Sequence, residues 1–292
     1  MGGLLRNQHA VVKSDLQPSG SSAPNRKSAD EADTCLPGLS QTNFVMSFRL
    51  HLEDGLSYSL TDRLKAIRRT KVYDLFTALP LIAWYVFALA QTIAATGQQI
   101  VLAKLFIQTD VSVLPISFVL SIVSKVCTLA FLAVLVVMFA LRRVPQRRAN
   151  GTYPRFTAVV GTFISVGIVL LPPQEISPTV YLASMLLVIG GTAVAVFAAV
   201  VLGRSISIMP EARQLVTWGP YALIRHPLYL GEMVATFGLA AQYLLPWALV
   251  LLTLHCIFQL ERMKYEERVL VGAFPNYVTY MARTARLVPG VY

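Results

Sequence analysis

Acidic side chains are scarce in this chain: 15 of its 292 residues are Asp or Glu, and charged residues of both signs make up only 14%. A soluble domain carries about 25%. With 55% hydrophobic residues and a mean hydropathy of +0.59, that shortage excludes an ordinary water-soluble globule and points to an integral membrane protein. Cysteine is also sparse. Cys35, Cys127 and Cys256 have neither metal-ligand spacing nor a pairing pattern, so no structural disulfide and no metal site is expected. No strand leads into a glycine-rich phosphate loop, which removes a Rossmann-type cofactor domain. There is no heptad or solenoid period, and none of the internal repeats that accompany transporters. The 25 Lys and Arg residues lie in short clusters between apolar runs, as positive charge does around membrane spans. No nucleic-acid-binding module goes with them, so nucleic acid is not an expected partner.

Residues 1–60 are rich in Ser, Pro, Asn, Asp and Gln and lack the apolar core of a secretory signal, so they read as a disordered cytosolic tail. Met1-Gly2-Gly3 opens like a myristoylation site, but Arg6 stands where that motif takes Ser or Thr. Residues 61–202 read as a transmembrane scaffold of four spans, at about 73–95, 111–141, 156–171 and 178–202, with a weakly charged loop over 96–110. Lys125 interrupts the second span, as a snorkelling lysine, as one brought near an interface by a break at Pro115, or as a functional charge. Residues 203–292 hold two further apolar runs, 228–243 and 246–260, close enough in sequence to form a tight helical hairpin. Basic clusters precede the first span, separate the second from the third and the fourth from the fifth, and follow the sixth. The expected architecture is therefore all-α and polytopic, with about six transmembrane helices, both termini cytosolic and the catalytic face on the cytosolic side.

The stretch from Trp218 to Glu232 organises the rest. Gly219-Pro220 signals a turn, and Pro227 suits the first position of a helix, which puts His226 at a helix entrance. The imidazole and the first free amides of that helix share a positive edge suited to a carboxylate or phosphate. Arg225 and His226 read equally as ordinary interfacial residues contacting headgroups. Farther on, Arg262 and Glu266 are one helical turn apart, and a surface salt bridge is the simplest account of them. In the sharper account, a carboxylate of the Glu266–Glu267 pair holds a cofactor ammonium while the Arg262 guanidinium grips a substrate carboxylate. His255 reads as packed inside the sixth span. Glu232 reads either as an acceptor-tunnel residue or as a solvated interfacial acid.

Leu215-Val216-Thr217-Trp218-Gly219-Pro220-Tyr221, Arg225-His226-Pro227-Leu228-Tyr229-Leu230-Gly231, Arg262 with Glu266-Glu267, then Phe274, Tyr277, Tyr280 and Leu287-Val288-Pro289, occur in order. Together they resemble the isoprenylcysteine carboxyl methyltransferase family and its bacterial membrane relatives, over roughly the last 80 residues of the chain. The resemblance implies a catalytic region over 203–292 and S-adenosyl-L-methionine as cofactor. It implies that Gln214, Leu215, Val216 and Tyr221 line that cofactor and that His226, Pro227, Leu228 and Tyr229 wrap it. The acid pair Glu266–Glu267 would face it, Glu266 taking its amino group, and Arg262 with His226 would serve the reaction, Arg262 orienting the acceptor carboxylate. The acceptor implied is a lipophilic small molecule or lipidated substrate drawn from the bilayer, isoprenylcysteine-like, with membrane lipids around it. The compartment implied is a bacterial inner membrane, and oligomeric state stays open. Pro275 departs from the family's glycine, and the interval to Tyr277 is one residue short, so the acceptor side is the part most open to change. A membrane sterol-type reductase using NADPH has a similar Arg-His-Pro, Tyr, Gly-Glu stretch, which Glu232 after Gly231 fits. Glu266–Glu267 and the Leu215–Tyr221 lead-in fit the methyltransferase instead. A thiol or phospholipid methyltransferase of the same fold and a non-enzymatic membrane scaffold are the remaining alternatives.

Overall fold

Prolines and small polar residues set where the helices begin. The computed structural model describes residues 66–67, 70–108, 115–172, 174–243 and 246–290, all within one compact unit, Ser57–Tyr292. The tail expected over 1–60 lies outside the described residues. In order, the elements are α1 (Lys71–Gln108), α2 (Ile116–Leu141), β1 (Arg147–Arg148), α3 (Tyr153–Phe163), α4 (Val166–Val169), α5 (Pro178–Leu202), a short turn of 3-10 helix (Gly203–Ser205), β2 (Glu211–Ala212), a second such turn (Gly219–Ala222), α6 (Pro227–Ala241), α7 (Pro246–Ala273) and α8 (Tyr277–Arg283). Pro115 precedes α2, and Pro178 and Pro227 lie in the first turns of α5 and α6, where a missing N–H leaves nothing unpaired. Ser177 caps α5 by accepting from the Val180 amide. Gly203, at φ 54°, ends α5 in a conformation that L side chains avoid.

The structure is mostly helical, and among the described residues α1, α2 and α5 with its 3-10 extension are the helices long and apolar enough to cross a membrane. The stretch Tyr153–Val169 is apolar but shorter. The loop expected over 96–110 is corrected for its described part: α1 continues as helix through Gln108. Its polar side chains do not interrupt it. The Thr92 and Thr96 hydroxyls donate back to Ala88 O and Thr92 O, one turn earlier, and Gln99 Nε2 donates to Ser121 Oγ on α2 at 3.2 Å. Lys125 reaches Ala95 O at 3.5 Å, on α1. The helix that begins at Pro246 likewise runs past the apolar limit near 260 to Ala273, and its second half is charged.

Two devices position the site. Gly191 on α5 and Gly231 on α6 bring the two backbones into contact: a Cβ at Gly191 would lie 2.4 Å from Ala235 N, and one at Gly231 would lie 2.6 Å from Ala195 N. Gly238 repeats the contact against Ser184 O at 2.7 Å. Small residues of this kind let membrane helices approach closely, and here they fix the start of α6 against α5. The second device is the chain end. Arg225 N donates to Ala285 O at 2.8 Å and His226 N to Arg286 O at 3.1 Å, so residues 285–286 clamp the entrance of α6 from outside.

A two-stranded antiparallel pair, Arg147 opposite Ala212 and Arg148 opposite Glu211, joins the α2–α3 connection to the segment after α5. Beside it lies a buried ionic cluster at the start of α1. Asp74 is paired with Arg142 at 2.8 Å and Arg213 at 3.0 Å, and Glu211 with Arg213 at 2.6 Å and Arg148 at 3.1 Å.

Candidate functional site

His226 is the residue before Pro227, so its backbone is free of the helix and its N–H is free to pair with the chain end. Its imidazole Nε2 lies 3.2 Å from Glu267 Oε1. The anion expected at this helix mouth is thus the chain's own carboxylate. Arg225 Nε also donates to Glu267 Oε1, at 2.8 Å, and Arg286 donates to both carboxylate oxygens. Arg225 continues to Met281 O and Thr284 O, so this ion cluster holds α6, α7 and the chain end together. Burial alone would raise the Glu267 carboxyl. The hydrogen bonds from His226 and Arg286 and the charges of His226 and Arg225 outweigh it and hold the carboxyl at about 2, below the ordinary 4.5.

A depressed carboxyl pKa means that the folded state binds fewer protons than the unfolded state. The cluster therefore contributes fully above about pH 4.5 and loses its contribution as pH falls towards about 2. Over that window the loss should reach roughly 3 kcal/mol. Thermal unfolding of the purified protein across the window should show this fall, and Glu267→Gln should flatten it.

Next to the ion cluster, and sharing Arg225 and His226 with it, is a narrow cleft. Its walls include Leu202 and Ser205 from the end of α5, Arg213, Gln214, Leu215 and Val216 from the following segment, Tyr221, Arg225 and His226, Glu266 and Leu270 from α7, and Tyr277 and Tyr280 from α8. Of the residues singled out from the sequence for a cofactor, Gln214, Leu215, Val216, Tyr221, His226 and Glu266 meet here. Glu267 does not line it, being held in the ion cluster. Pro227, Leu228 and Tyr229 do not line it, but buried Tyr229 donates its hydroxyl to Glu266 Oε2 at 2.6 Å. That bond aims the half-buried Glu266 carboxylate.

The Tyr221 hydroxyl is buried in the cleft wall without a hydrogen-bond partner. Burial, then the nearby Glu266 carboxylate, raise its pKa well above the usual phenol value. Burial also raises Tyr277 and pushes Tyr280 up to about 12, so all three phenols are neutral. Tyr280 donates to Tyr221 O at 2.6 Å and packs against Tyr277 with ring centroids 5.7 Å apart. With the Glu211 carboxylate in its wall already held by Arg148 and Arg213, the cleft offers the Glu266 carboxylate, neutral aromatic faces and a spare hydroxyl to a cationic ligand. It encloses only about 40 Å3, so admitting a cofactor requires its walls to part. The stretch Gln214–Thr217, which lies in neither helix nor strand and is tied by the Arg143 hydrogen bond to Gln214 Oε1, is the wall with least to break.

Arg262 makes no salt bridge with Glu266, in contrast to the simplest sequence account. It is buried, with Nε donating to Ile208 O at 3.1 Å and Nη1 to Thr162 Oγ1 at 3.2 Å. Its guanidinium lies 4.9 Å from the centre of the Tyr229 ring. Tyr229 therefore stands between Arg262 and Glu266, one on its ring and the other at its hydroxyl. Gln259 joins this buried layer, donating to Glu232 at 2.8 Å, and His255 is buried nearby in α7 at 2% exposure. Ser205, Arg213, Leu270 and Arg286 are the neighbours that sequence reasoning missed. Only the Leu287-Val288-Pro289 ending signalled that the chain end takes part.

The sequence profile of the phospholipid methyltransferase family matches residues 179–276, a span that contains most of the cleft lining. The match is consistent with the resemblance of the motifs to the isoprenylcysteine carboxyl methyltransferases. A cobalt-zinc-cadmium resistance protein of Cupriavidus metallidurans is 37% identical over 76 residues, 26% of this chain and 35% of its own length. A nickel-cobalt-cadmium resistance protein of Alcaligenes xylosoxydans is 31% identical over 80 residues, 27% of this chain and 38% of its own. The matches thus span little more than a third of these relatives.

Proposed function

We propose that this chain, whose residues 179–276 match the phospholipid methyltransferase family, is an integral membrane methyltransferase that uses S-adenosyl-L-methionine to methylate a lipophilic acceptor. The observation that carries the reading is the meeting of Glu266 with Gln214, Leu215, Val216, Tyr221 and His226 in one cleft. When bound, that cofactor supplies an electrophilic methyl group on a sulfonium. Glu266, held by Tyr229, accepts the amino group, and the faces of Tyr221, Tyr277 and Tyr280 suit the cationic centre. The Tyr221 hydroxyl provides a free hydrogen-bonding atom, and Gln214–Val216 close over the ligand. Arg262 and Glu232, across Tyr229, meet the acceptor head. For a carboxylate acceptor the Arg262 guanidinium orients the nucleophile, and no general base is needed.

In this reading the shorter apolar stretch of α3 and α4, α6 and the first half of α7 also enter the bilayer, which brings the crossings to six. The 15 residues of α6 rise about 22 Å, short of the ~30 Å hydrocarbon core. A helix that short leaves one end within the apolar layer, and in this reading it is the His226 end, where a lipophilic acceptor can reach it. Carboxyl O-methylation of an isoprenylcysteine-like substrate is the finer proposal, resting on the Arg-His-Pro motif and Arg262. The family description favours a second acceptor, a phospholipid amine. Transfer of tritiated methyl groups into a membrane extract separates the two, because an ester label is released by base and a methylamine label is retained.

Two variants test the roles. Glu266→Gln keeps an acceptor for the Tyr229 hydroxyl but removes the charge, and should weaken S-adenosyl-L-methionine binding by about tenfold or more. Arg262→Ala should leave donor binding in place and abolish transfer. Micromolar NADPH binding with none for S-adenosyl-L-methionine overturns the reading in favour of a reductase, and unchanged transfer in both variants overturns the roles given to Glu266 and Arg262.

A further inference from the structure

A second cavity, of about 570 Å3, lies between α1 and α3 and is closed at one end by the 208–211 segment. Most of its lining falls outside the matched region 179–276. The cavity is amphiphilic along its length. One half is apolar, formed by Leu81, Trp84, Val159 and Phe163, and Trp84 and Val159 remain 38% and 41% exposed on the sides of helices that carry apolar side chains outward. The other half is cationic, with Arg148 and Arg155 in the wall.

Charge at the cationic end does not balance. Asp74 and Glu211 are two carboxylates shared by three guanidiniums, those of Arg142, Arg148 and Arg213, and Arg155 adds a fourth cation at the cavity wall. Arg148 Nη2 is buried, 3.7 Å from Asp74 Oδ1 and without a hydrogen bond. The rest of that guanidinium pairs with Glu211, but a buried donor left without an acceptor is costly, and an anionic oxygen in the cavity would accept from it. The cavity is also partitioned from the cofactor cleft. Glu211 lines both, and its carboxylate is held by Arg148, Arg213 and Ser207, so this occupant is not the group that meets Glu266.

We propose that the cavity binds an acidic membrane phospholipid, with its phosphate between Arg148 and Arg155 and an acyl chain along Leu81, Trp84, Val159 and Phe163. Basic pockets between membrane helices take acidic headgroups in this way, and the surrounding bilayer supplies the chain and the phosphate in one molecule.

Trp84 provides a readout independent of methyl transfer. The full chain is placed in nanodiscs of phosphatidylcholine containing either brominated phosphatidylglycerol or brominated phosphatidylcholine at equal mole fraction, with no methyl donor, and tryptophan quenching is measured. The acidic lipid should quench more strongly, and Trp84→Phe should abolish the difference. Arg155→Gln, at an exposed residue outside the ionic cluster, and Arg148→Gln should each raise the acidic-lipid fraction needed for half-maximal excess quenching by about tenfold. Equal quenching by the two lipids overturns the proposal. So does excess quenching that survives Arg155→Gln and Arg148→Gln, or that is reproduced only by a free brominated fatty carboxylate. Because no donor is present, each of these outcomes is separable from failure of the methyltransferase reading.

Discussion

Alanine in place of Glu267 should destabilise the protein by about 3–5 kcal/mol, the cost of leaving buried charges without their partner. Glutamine in place of the adjacent Glu266 should change stability little and chiefly weaken donor binding. The contrast follows from where two neighbouring carboxylates point. Glu267 is 4% exposed and receives hydrogen bonds from Arg225 and Arg286, with the His226 ring against it. Its loss strands three basic groups at the junction of α6, α7 and the chain end. Glu266 faces the cleft and has the Tyr229 hydroxyl as its hydrogen-bond donor, a bond that a glutamine oxygen still accepts. Chemical unfolding in detergent and calorimetric titration with S-adenosyl-L-methionine, run on both variants, separate the two roles. If Glu266→Gln proved the less stable variant while donor affinity survived, the assignment of the cleft would be wrong.

The helix starts were legible because each is written in local chemistry: Pro178 after Ser177, Pro227 after His226, and Pro246. The long apolar runs of α2 and α5 were legible for the same reason, since hydropathy alone marks them. The extension of α1 was not, because Thr96 and Gln99 read as loop residues until the partners of the hydroxyl and the amide are known. Hydropathy also says little about where a helix ends once it leaves the apolar layer, which is how the charged half of α7 went unmeasured. At the site, the Gln214–Tyr221 and Arg225–Tyr229 motifs named the elements that meet. Spacing could not say which of two adjacent acids faces the cleft. One residue of helix rotates a side chain by about 100°, and only the three-dimensional positions of Arg225, His226 and Arg286 decide which acid they pair with. The simpler of the two readings of Arg262, a salt bridge to Glu266, failed for a related reason. Tyr229 from α6 inserts between it and Glu266, and no pattern within α7 encodes a neighbour from another helix.

Gly190 and Gly191 should respond oppositely to alanine. At Gly190 an added Cβ meets nothing within 4 Å, so Gly190→Ala in the middle of α5 should stabilise by roughly 0.5–1 kcal/mol through helix entropy alone. At Gly191 the same Cβ would lie 2.4 Å from Ala235 N, 2.7 Å from Gly231 O and 2.9 Å from Ala235 Cα, all backbone atoms of α6. A backbone cannot rotate away as a flexible side chain can, so α5 and α6 must separate along the contact that Gly231 and Gly238 continue. Overpacking of a close interface costs about 1–3 kcal/mol where side chains can adjust, and Gly191→Ala should reach or exceed the top of that range because they cannot. The effect should also travel to the cleft. His226 immediately precedes α6 and Tyr229 lies in its first turn, so displacing that helix moves the imidazole away from Glu267 and the phenol away from Glu266. Gly191→Ala should therefore lose donor binding along with thermal stability, although Gly191 touches neither the cleft nor its ligand. Gly190→Ala, one residue away, should keep both, and equal behaviour of the two variants in a thermal-shift assay with and without S-adenosyl-L-methionine would show that the α5–α6 contact does not set the position of the site.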